Sequence, residues 1–364
     1  MAKSKRDQPF PKRKITLQQL AEHVRLTKGT VSAILNDSRV AKTIPQHTKD
    51  RVLAAARELN YRPDFFARNL RAKQTFAIGV ITLEFGDPYG GQVISGIEAY
   101  LSRHKHFFIT AAHRHDLRNL EQYVAFLLTR GVEGIITVDT ILNRRLPVPT
   151  VAVAGHRPLE GVTNITLDHA RAAQLALRHL FDLGHRRIAV LRGQSFSSDA
   201  NDRWRSICDA AQELGIPIRS ELAVELDTDD TSPQMGCRLT RHLLSRGRFT
   251  ALLAYNDTSA IGAVRAIREV GLRVPEDISV VGFDDILEAA YQFPSLTTIR
   301  QPLRKMGEIA AETLIQRIER RKGCPRQIFI EPELVVREST AKAALSVEDA
   351  KRHEGGTRVE VPSA

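Results

Sequence analysis

The chain has 364 residues, and its 53 Lys and Arg against 42 Asp and Glu give a formal net charge of +11. With 42% hydrophobic and 26% charged residues, the composition is that of a globular protein of two or three domains and excludes a disordered or fibrous chain. The sequence has no apolar run of the roughly 18 residues that a transmembrane helix needs, and no apolar segment follows the basic N-terminus as in a secretory signal.

The surplus of positive charge lies at one end of the chain. Residues 1–74 hold 17 Lys and Arg against six Asp and Glu, and the basic and acidic residues of the remainder balance. The sequence therefore predicts a small cationic module attached to a large neutral body. Such a module is expected to bind a polyanion, but charge alone does not distinguish nucleic acid from a membrane surface.

The cysteines indicate the compartment. Cys208, Cys237 and Cys324 are too few and too widely spaced for a disulfide framework or a cysteine-based zinc motif. Because such cysteine usage is typical of a reducing environment, we expect a cytoplasmic protein.

The cationic module is predicted to be helical. Residues 1–14, rich in Lys, Arg and Pro, are expected to be a disordered arm, whereas apolar residues recur at helical spacing over 15–59. This spacing predicts three short helices, with about three residues between the first two. Threonines are the expected N-caps of these helices: Thr16, Thr27 and either Thr43 or Thr48. A further short helix is predicted at 64–71, followed by a linker.

From residue 76 the pattern changes to strands that alternate with amphipathic helices. Continuous apolar runs suit strands buried on both faces of a parallel sheet, and the number of elements exceeds one sheet, so the sequence predicts two α/β lobes. The predicted strands are residues 76–83, 107–112, 134–138, 150–154, 187–191, 251–255 and 278–282. The predicted helices are residues 91–103, 117–130, 169–183 and 260–270. Residues 341–364 are expected to be a flexible tail.

The second helix of the cationic module is rich in small polar residues. Two short helices joined by a tight turn are typical of a helix-turn-helix, whose second helix enters the major groove of DNA. Lys28 can reach guanine acceptors, and the polar side chains of Thr30, Ser32 and Asn36 can bond phosphates. The alternative is a small helical domain whose cationic face is merely solvated.

Longer segments carry a resemblance to a known family. Residues 15–75, which begin ITLQQLAEHVRLTKGTVSAILNDS, resemble the headpiece and hinge of LacI-family transcriptional regulators. LFDLGHRRIAVLRG, YNDTSAIGAVRAIREVGLRVPEDISVVGFDDI and FPSLTTIRQPL resemble the family's body in the expected order. The resemblance implies a small all-α helix-turn-helix domain (15–62) with a hinge helix and linker (63–75), followed by a two-lobed α/β body of the periplasmic-binding-protein type with parallel sheets (76–340).

The resemblance also implies the boundaries of the lobes and the residues that meet DNA. One lobe would comprise 76–167 and 298–327, and the other 168–297 and 328–340. The implied DNA-binding residues are Thr16, Lys28, Gly29, Thr30, Ser32, Ala33, Asn36, Ala67 and Leu70. Leu70 would enter the minor groove as an apolar wedge that kinks the duplex; the alternative is that it belongs to a local core.

Departures from the family pattern concern DNA specificity. Arg25 stands where the family usually has Gly or Asn, so we expect a non-glycine residue to adopt a positive φ at this position. Gly29 and Ala33 replace longer polar side chains, which leaves Lys28 as the main direct reader. About three extra residues near 39–43 lengthen the loop before the third helix.

The resemblance further implies an effector site between the lobes. The implied effector-binding residues are Tyr89, His115, Ser197, Asp199, Arg203, Thr231, Asn256, Asp257 and Asp284. An Arg and an Asp can satisfy several hydroxyls of a small ligand, and an aromatic ring can cover the apolar face of a sugar. A sugar or sugar derivative is therefore favoured, while a purine or a phosphorylated metabolite stays open. The alternatives are an interlobe or capping salt bridge for Arg203 and Asp284, and simple core packing for Tyr89.

The sequence indicates neither a metal site nor a catalytic nucleophile. His113 and His115 can share one face of a strand, but no carboxylate or Cys is spaced to complete a metal site, and we expect them at a strand end near the cleft rim. The segment 193–197 lacks the closing glycine of a nucleophile elbow. We therefore expect no enzyme, no cofactor and no metal.

The resemblance implies a transcriptional regulator that binds double-stranded operator DNA as a homodimer or higher homo-oligomer, under control of a small effector and with no membrane partner. A repressor is favoured over an activator, because repression needs only occupancy of the site. The alternative from another class is a solute-binding protein with no role on DNA, since the body alone resembles one.

Overall fold

The computed structural model describes residues 15–61, 75–155, 158–194, 197–226, 230, 232–320 and 323–343. The chain divides into two compact units, residues 1–75 and 76–364. The predicted arm (1–14), almost all of the hinge and linker (63–74) and most of the tail (344–364) lie outside the described residues. No helix in the described part of the chain is both long and apolar enough to cross a membrane.

The first unit is built from short helices around one apolar core. They are α1 (Leu17–His23), α2 (Lys28–Leu35), a 3-10 turn (Arg39–Thr43) and α3 (Gln46–Glu58). This core contains one fully buried residue from each α-helix: Leu20, Val31 and Val52. Because the apolar residues recur at helical spacing, each helix turns one stripe inward and leaves its polar side to solvent.

Two of the predicted caps are confirmed and the third is wrong. The hydroxyl of Thr16 accepts a hydrogen bond from the backbone of Gln19, and that of Thr27 accepts one from the backbone of Thr30. The third helix instead has Pro45 as its N-cap, without a side-chain bond. Thr43 lies two residues before this cap, at the end of the 3-10 turn, and Thr48 lies inside α3.

The cap of α2 yields a stability prediction. Thr27→Ala should lower the free energy of unfolding of the first unit by about 1 kcal/mol, because the amide of Thr30 loses its acceptor. Thr48→Ala is the matched control, since Thr48 lies inside α3 and caps nothing. Urea denaturation followed by helical circular dichroism measures both, and equal losses for the two variants would contradict the assigned caps.

The second unit alternates strands and helices. Its strands are β1 (Ala77–Thr82), β2 (Phe107–Ala112), β3 (Gly134–Val138), β4 (Thr150–Val153), β5 (Val162–Leu167), β6 (Ile188–Arg192), β7 (Ala223–Glu225), β8 (Ala251–Leu253), β9 (Ser279–Asp284), β10 (Thr297–Arg300), β11 (Gln327–Ile330) and β12 (Glu333–Val335). Its α-helices are α4 (Pro88–Arg103), α5 (Leu117–Thr129), α6 (His169–Asp182), α7 (Ser198–Glu213), α8 (Pro233–Arg246), α9 (Asp257–Glu269), α10 (Leu287–Tyr291) and α11 (Leu303–Ile318).

The strands form two sheets, as predicted for a two-lobed body. The first sheet has the order β11-β5-β4-β3-β1-β2, and all of its neighbouring strands are parallel. The second has the order β12-β10-β9-β8-β6-β7 and is parallel except for its edge strand β12. Ligands of such sheets bind beyond the carboxyl ends of the strands, which is where the candidate site lies.

The chain crosses between the lobes at points that differ from the prediction. β10 pairs with β9 of the second sheet, so residues 298–300 do not belong to the first lobe. β11 pairs with β5 of the first sheet, so residues 328–330 do not belong to the second lobe. The crossings follow β5, β10 and β11, and the two predicted boundaries at 298 and 328 are each wrong by about three residues because they cut through paired strands.

Glycines allow α4 and α11 to pack backbone against backbone in the first lobe. A Cβ on Gly96 would overlap the carbonyl oxygen of Arg304, and a Cβ on Gly307 would overlap that of Val93. The two helices therefore approach each other more closely than any larger residue at these positions permits.

Candidate DNA-binding and effector sites

The exposed side of α2 carries the residues predicted to meet DNA. Lys28, Gly29 and Asn36 are exposed, whereas Val31 and Ile34 on the opposite side are buried in the core. Thr30, Ser32 and Ala33 are half-buried at the border, and Thr16 is exposed at the start of α1. The structure thus brings the described members of the predicted set onto the surface of one small unit, while Ala67 and Leu70 lie outside the described residues.

Local hydrogen bonds hold two of these polar side chains. The Asn36 amide donates to the backbone oxygen of Ser32 at 2.8 Å, and the Thr30 hydroxyl lies 2.9 Å from that of Thr27. Arg25, in the turn before α2, has a φ of 49°, as the departure from the family pattern predicts. Side chains that are already ordered lose less conformational entropy when they bind a partner.

The extra residues before α3 add charge beside α2. The 3-10 turn that they form has Ala41 buried, while Arg39, Val40 and Lys42 are exposed. Because the turn packs on α2, its two cations lie on the same small unit as Lys28. Proximity of several cations strengthens attraction to a phosphate backbone.

In the body, a cleft receives side chains from both lobes. The first lobe contributes Leu83, Glu84, Asp87, Tyr89 and Asp139. The second lobe contributes Gln194, Ser197, Asp199, Arg203, Tyr255, Asn256 and Asp284. Most of these residues follow the carboxyl ends of β1, β3, β6, β8 or β9, so the parallel sheets themselves assemble the site.

Arg203 is the central cation of the cleft. It is 4% exposed, and its guanidinium donates to the backbone oxygen of Tyr255 and to the Asp199 carboxylate at 3.1 Å. The guanidinium also lies over the rings of Tyr255 and Phe283, at 4.3 and 3.7 Å from their centroids. Its Nε, also buried, has no hydrogen-bond partner in the described structure. The salt bridge in the structure therefore joins Arg203 to Asp199 within one helix, which is neither an interlobe nor a capping bridge, and the Nε donor is left for a ligand.

Tyr255 is a cleft residue that sequence reasoning missed. Its hydroxyl lies 2.6 Å from that of Ser197, and burial raises its pKa, so the phenol stays protonated. A Cβ on Gly193 would overlap the Tyr255 ring, so a glycine is required there. The available signal was its position two residues after the end of β8 and beside Asn256, which was predicted as an effector residue.

Tyr89 belongs both to the core and to the cleft. Its ring is part of the main apolar cluster and the residue is 9% exposed. Its hydroxyl is buried without a hydrogen-bond partner among the described residues, and burial raises its pKa well above the usual value. A protonated phenol without a partner can both donate to and accept from a ligand.

Asp284 ends β9 with an unusual backbone. Its φ is 110°, and that of Asp285 is 58°. The Asp284 carboxylate accepts a 2.6 Å hydrogen bond from the amide of Gln301, and burial raises its pKa while Arg203 acts in the opposite direction. Two consecutive non-glycine residues with positive φ store backbone strain, which is typical of ligand-binding sites.

Two predicted effector residues, Asp257 and His115, do not line the cleft. Asp257 is fully buried, and its carboxylate accepts from the Thr298 hydroxyl at 2.6 Å and from the Ile286 amide at 2.9 Å. It therefore ties α9 to β10 and to the start of α10. His115 follows β2 but does not line the cleft, because the chain turns there to start α5. Thr231 lies outside the described residues.

Comparison with known proteins gives the family. Residues 16–64 match the pattern of bacterial regulatory proteins of the lacI family, and residues 177–340 match a periplasmic binding protein-like domain. The HTH-type transcriptional repressor PurR of Yersinia pestis bv. Antiqua is 32% identical over 336 residues, which cover 90% of this chain and 97% of that protein. The chain belongs to the LacI family.

A second relative and a solved structure support the family and the fold. The ribose operon repressor of Haemophilus influenzae is 30% identical over 330 residues, covering 89% of this chain and 98% of that one. A crystal structure of the lac repressor dimer bound to operator and the anti-inducer ONPF has a TM-score of 0.80 at 29% identity, covering 90% of this chain and all of that one. The chain is thus a DNA-binding transcriptional repressor, and the predicted fold class is confirmed. These relatives are repressors rather than enzymes.

In this LacI-family chain, the missed cleft residues share one property. Asp87 is the N-cap of α4, Asp139 follows β3 directly, and Gln194 lies two residues after the end of β6. Each stands at a junction that the parallel sheets bring to the cleft. The described residues contain no group of three or more His, Cys, Asp or Glu placed to hold a metal ion.

The buried Asp257 yields a pH prediction. Burial raises its pKa to about 7 from the ordinary 3.8, so between pH 4 and 7 the folded body holds a proton that the unfolded chain has released. The contribution of Asp257 to the free energy of unfolding therefore falls as pH rises through this window, by up to about 4 kcal/mol, and is constant above it. Subtracting the values of Asp257→Asn from those of the native protein, by urea titration at each pH, isolates this slope. A flat difference curve would contradict the assignment.

Proposed function

We propose that the protein binds operator DNA as a dimer and that its affinity for the operator is controlled by a sugar or sugar derivative in the cleft between the lobes. The observation that carries the effector proposal is the convergence of Arg203, Asp284 and Tyr89, from both lobes, on one cleft. These groups supply a donor, an acceptor and an aromatic ring, which is the set that a small polyhydroxylated ligand requires.

The DNA-binding part of the proposal rests on charge and on the surface of α2. Residues 1–74 carry the whole surplus of positive charge, so binding should release counterions from the duplex and weaken steeply with salt. Lys28 is proposed as the base reader, with Thr16, Thr30, Ser32 and Asn36 on phosphates and Gly29 and Ala33 close to base edges. Ala67 and Leu70 are proposed to act in the minor groove. Since the target is DNA, the proposal places the protein in the cytoplasm.

The dimer proposal is supported by an exposed apolar patch on the second lobe. Leu287, Tyr291 and Phe293, on and after α10, are 67%, 81% and 77% exposed. Large apolar side chains clustered on a surface mark an interaction site. A two-fold dimer covers the same patch on both copies, and the related lac repressor is described as a dimer on its operator.

The patch is connected to the effector site through a short chain segment. Asp284 lies three residues before α10, and Asp285 binds Arg300 and Arg337 at 2.6 Å each. Arg300 ends β10, at the crossing between the lobes. A ligand that relieves the backbone strain at Asp284 can therefore shift both the interlobe crossing after β10 and the exposed apolar patch. Coupling between two conformational states requires a ligand contact that differs between them, and strain relief at Asp284 would be such a contact.

Retention on duplex DNA tests the proposal. The full chain should be retained on genomic DNA fragments and released by salt, whereas residues 76–364 alone should not be retained. Footprinting of the retained fragments should give pseudopalindromic sites, whose protection changes with ligand. If removal of residues 1–75 left DNA binding unchanged, the assignment of DNA binding to the helical unit would be wrong. If the full chain were not retained at all, the alternative of a solute-binding protein without a role on DNA would stand.

A further inference from the structure

The chain segment after β12 packs along the second lobe. We call this segment, residues 337–343, the C-terminal clasp. The Ser339 hydroxyl donates to the backbone oxygen of Val280 on β9, and the amide of Ala343 donates to that of Leu183 at the end of α6. Ser339 is completely buried. Residues 341–343, which the sequence assigned to a flexible tail, are therefore bound to the body.

Two histidines lie under consecutive residues of the clasp. The Nε2 atom of His179, in the last turn of α6, lies 3.0 Å from the hydroxyl of Thr340. The Nε2 atom of His185, three residues after α6, lies 3.0 Å from the backbone oxygen of Ala341. The other ring nitrogen of His185 lies 2.8 Å from the hydroxyl of Thr250. His185 is 2% exposed, so its ring is enclosed by these contacts.

The contacts of His185 determine where its ring carries a proton. A carbonyl oxygen can only accept, so Nε2 must donate to Ala341. In the neutral ring, Nδ1 then accepts from the hydroxyl of Thr250. A second proton would turn Nδ1 into a donor that faces this hydroxyl, and it would place a charge in a buried position. The closed clasp therefore requires a neutral ring at His185.

Both rings resist protonation while the clasp is closed. Burial lowers the pKa of His185 from its ordinary 6.5; the hydrogen bond to Ala341 acts against this effect, whereas the nearby His179 and Arg186 lower the pKa further. Burial also lowers the pKa of His179, and the neighbouring Asp182 acts in the opposite direction. Both histidines thus bind a proton less readily in the closed clasp than in water.

The clasp also holds a segment that belongs to the cleft. Arg337, at its start, donates to the carboxylate of Asp285 at 2.6 Å. Asp285 directly follows the cleft residue Asp284 and also accepts from Arg300, which ends β10 at the crossing between the lobes. The position of the clasp therefore affects the segment that carries Asp284.

We propose that acid opens the C-terminal clasp and that His179 and His185 are its proton sensors. Once the clasp opens, water reaches both rings, and each takes up a proton below about pH 6.5. Because the closed clasp excludes these protons until a lower pH, each histidine favours opening by up to about tenfold for every unit that the pH falls below 6.5. Above about pH 7 both rings are neutral in either state, and the clasp stays closed. Acid thereby loosens the segment at Asp284 without any ligand.

Hydrogen–deuterium exchange of the full chain, without DNA or ligand, tests the proposal. Exchange is corrected for the effect of pH on unprotected amides. We expect the protection of residues 337–343 to fall about tenfold or more between about pH 7.5 and about pH 5.5. Helix α9 is the internal reference, because the buried Asp257 at its start contributes more stability at acid pH. Unchanged protection of the clasp, or an equal fall in α9, would overturn the proposal.

Glutamine variants assign the effect to the two histidines. His185→Gln keeps a donor for Ala341 and an acceptor for Thr250 but has no titratable proton, and His179→Gln keeps a polar partner for the clasp. In the double variant, the clasp should stay protected at neutral pH, and its protection should fall less than about twofold in acid.

His242→Gln is the matched control, since His242 is exposed on α8, and it should show the full fall of the native protein. A full fall in the double variant would refute the role of the two histidines. If His185→Gln does not fold, His179→Gln alone decides: its fall should be smaller than that of the native protein, and an equal fall would contradict the proposal.

Discussion

Replacing Arg203 with methionine should abolish the response to effector and lower the free energy of unfolding of the body by about 3–5 kcal/mol. Asp199 would remain buried, next to His169 at 3.6 Å, but would lose the guanidinium that it pairs with at 3.1 Å, and removing one partner of a buried ion pair costs this much. The ring faces of Tyr255 and Phe283 would also lose the guanidinium between them. Arg203→Lys should recover only part of both effects, because an ammonium cannot reproduce the planar fork of donors.

Arg205→Met is the matched control, two residues along the same helix. Arg205 is 73% exposed in its side chain and pairs with Asp202 on the surface, so its loss should cost less than about 0.5 kcal/mol. Urea denaturation gives the stabilities, and release from retained DNA fragments on addition of ligand gives the response. A normal response in Arg203→Met would remove Arg203 from the effector site, and an unchanged stability would contradict the buried ion pair.

Gly96→Ala should lower the free energy of unfolding by about 3 kcal/mol or more. The added methyl group would overlap the carbonyl oxygen of Arg304, and neither backbone can yield without separating α4 from α11. Overpacking of a well-packed interface costs in this range. Because α11 returns to the first lobe directly after the crossing from β10, the displacement should also alter how the lobes close.

Gly91→Ala, on the same helix, should instead raise the free energy of unfolding. Nothing lies within 4 Å of a Cβ at Gly91, so alanine there should stabilise the body by about 0.5–1 kcal/mol through its helix propensity. Thermal and urea unfolding of the two variants, measured side by side, separate a close approach of helices from a general effect of glycine. Destabilisation of equal size in both would contradict the packing described for Gly96.

The strands that the sequence predicted differ physically from those that it missed. β1, β3 and β9 are fully buried apolar runs, which stand out in any sequence. β7, β11 and β12 are sheet edges with exposed or half-buried residues. β5 and β10 are buried but rich in threonine. Their buried hydroxyls are satisfied by distant partners, as when Thr163 donates to the backbone oxygen of Pro325, and such pairings are not visible in a local pattern.

The site was predictable to the level of the strand end but not of the individual side chain. Asn256 and Asp257 are adjacent, and the resemblance implied both for the effector. In the structure Asn256 lines the cleft, whereas Asp257 begins α9 and turns to Thr298 on β10. At a junction of strand and helix, successive side chains diverge by about 100°, so only the packed structure decides which of two neighbours faces a ligand.

The three crossings between the lobes have a consequence for synthesis on the ribosome. The first lobe needs α11 and β11, which emerge only after the whole of the second lobe down to β10. The helical unit at the N-terminus is contiguous and complete within the first 75 residues, and domains generally fold as units while the chain is being made. A nascent chain would therefore possess a folded helix-turn-helix unit well before it possesses the cleft that we propose for the effector.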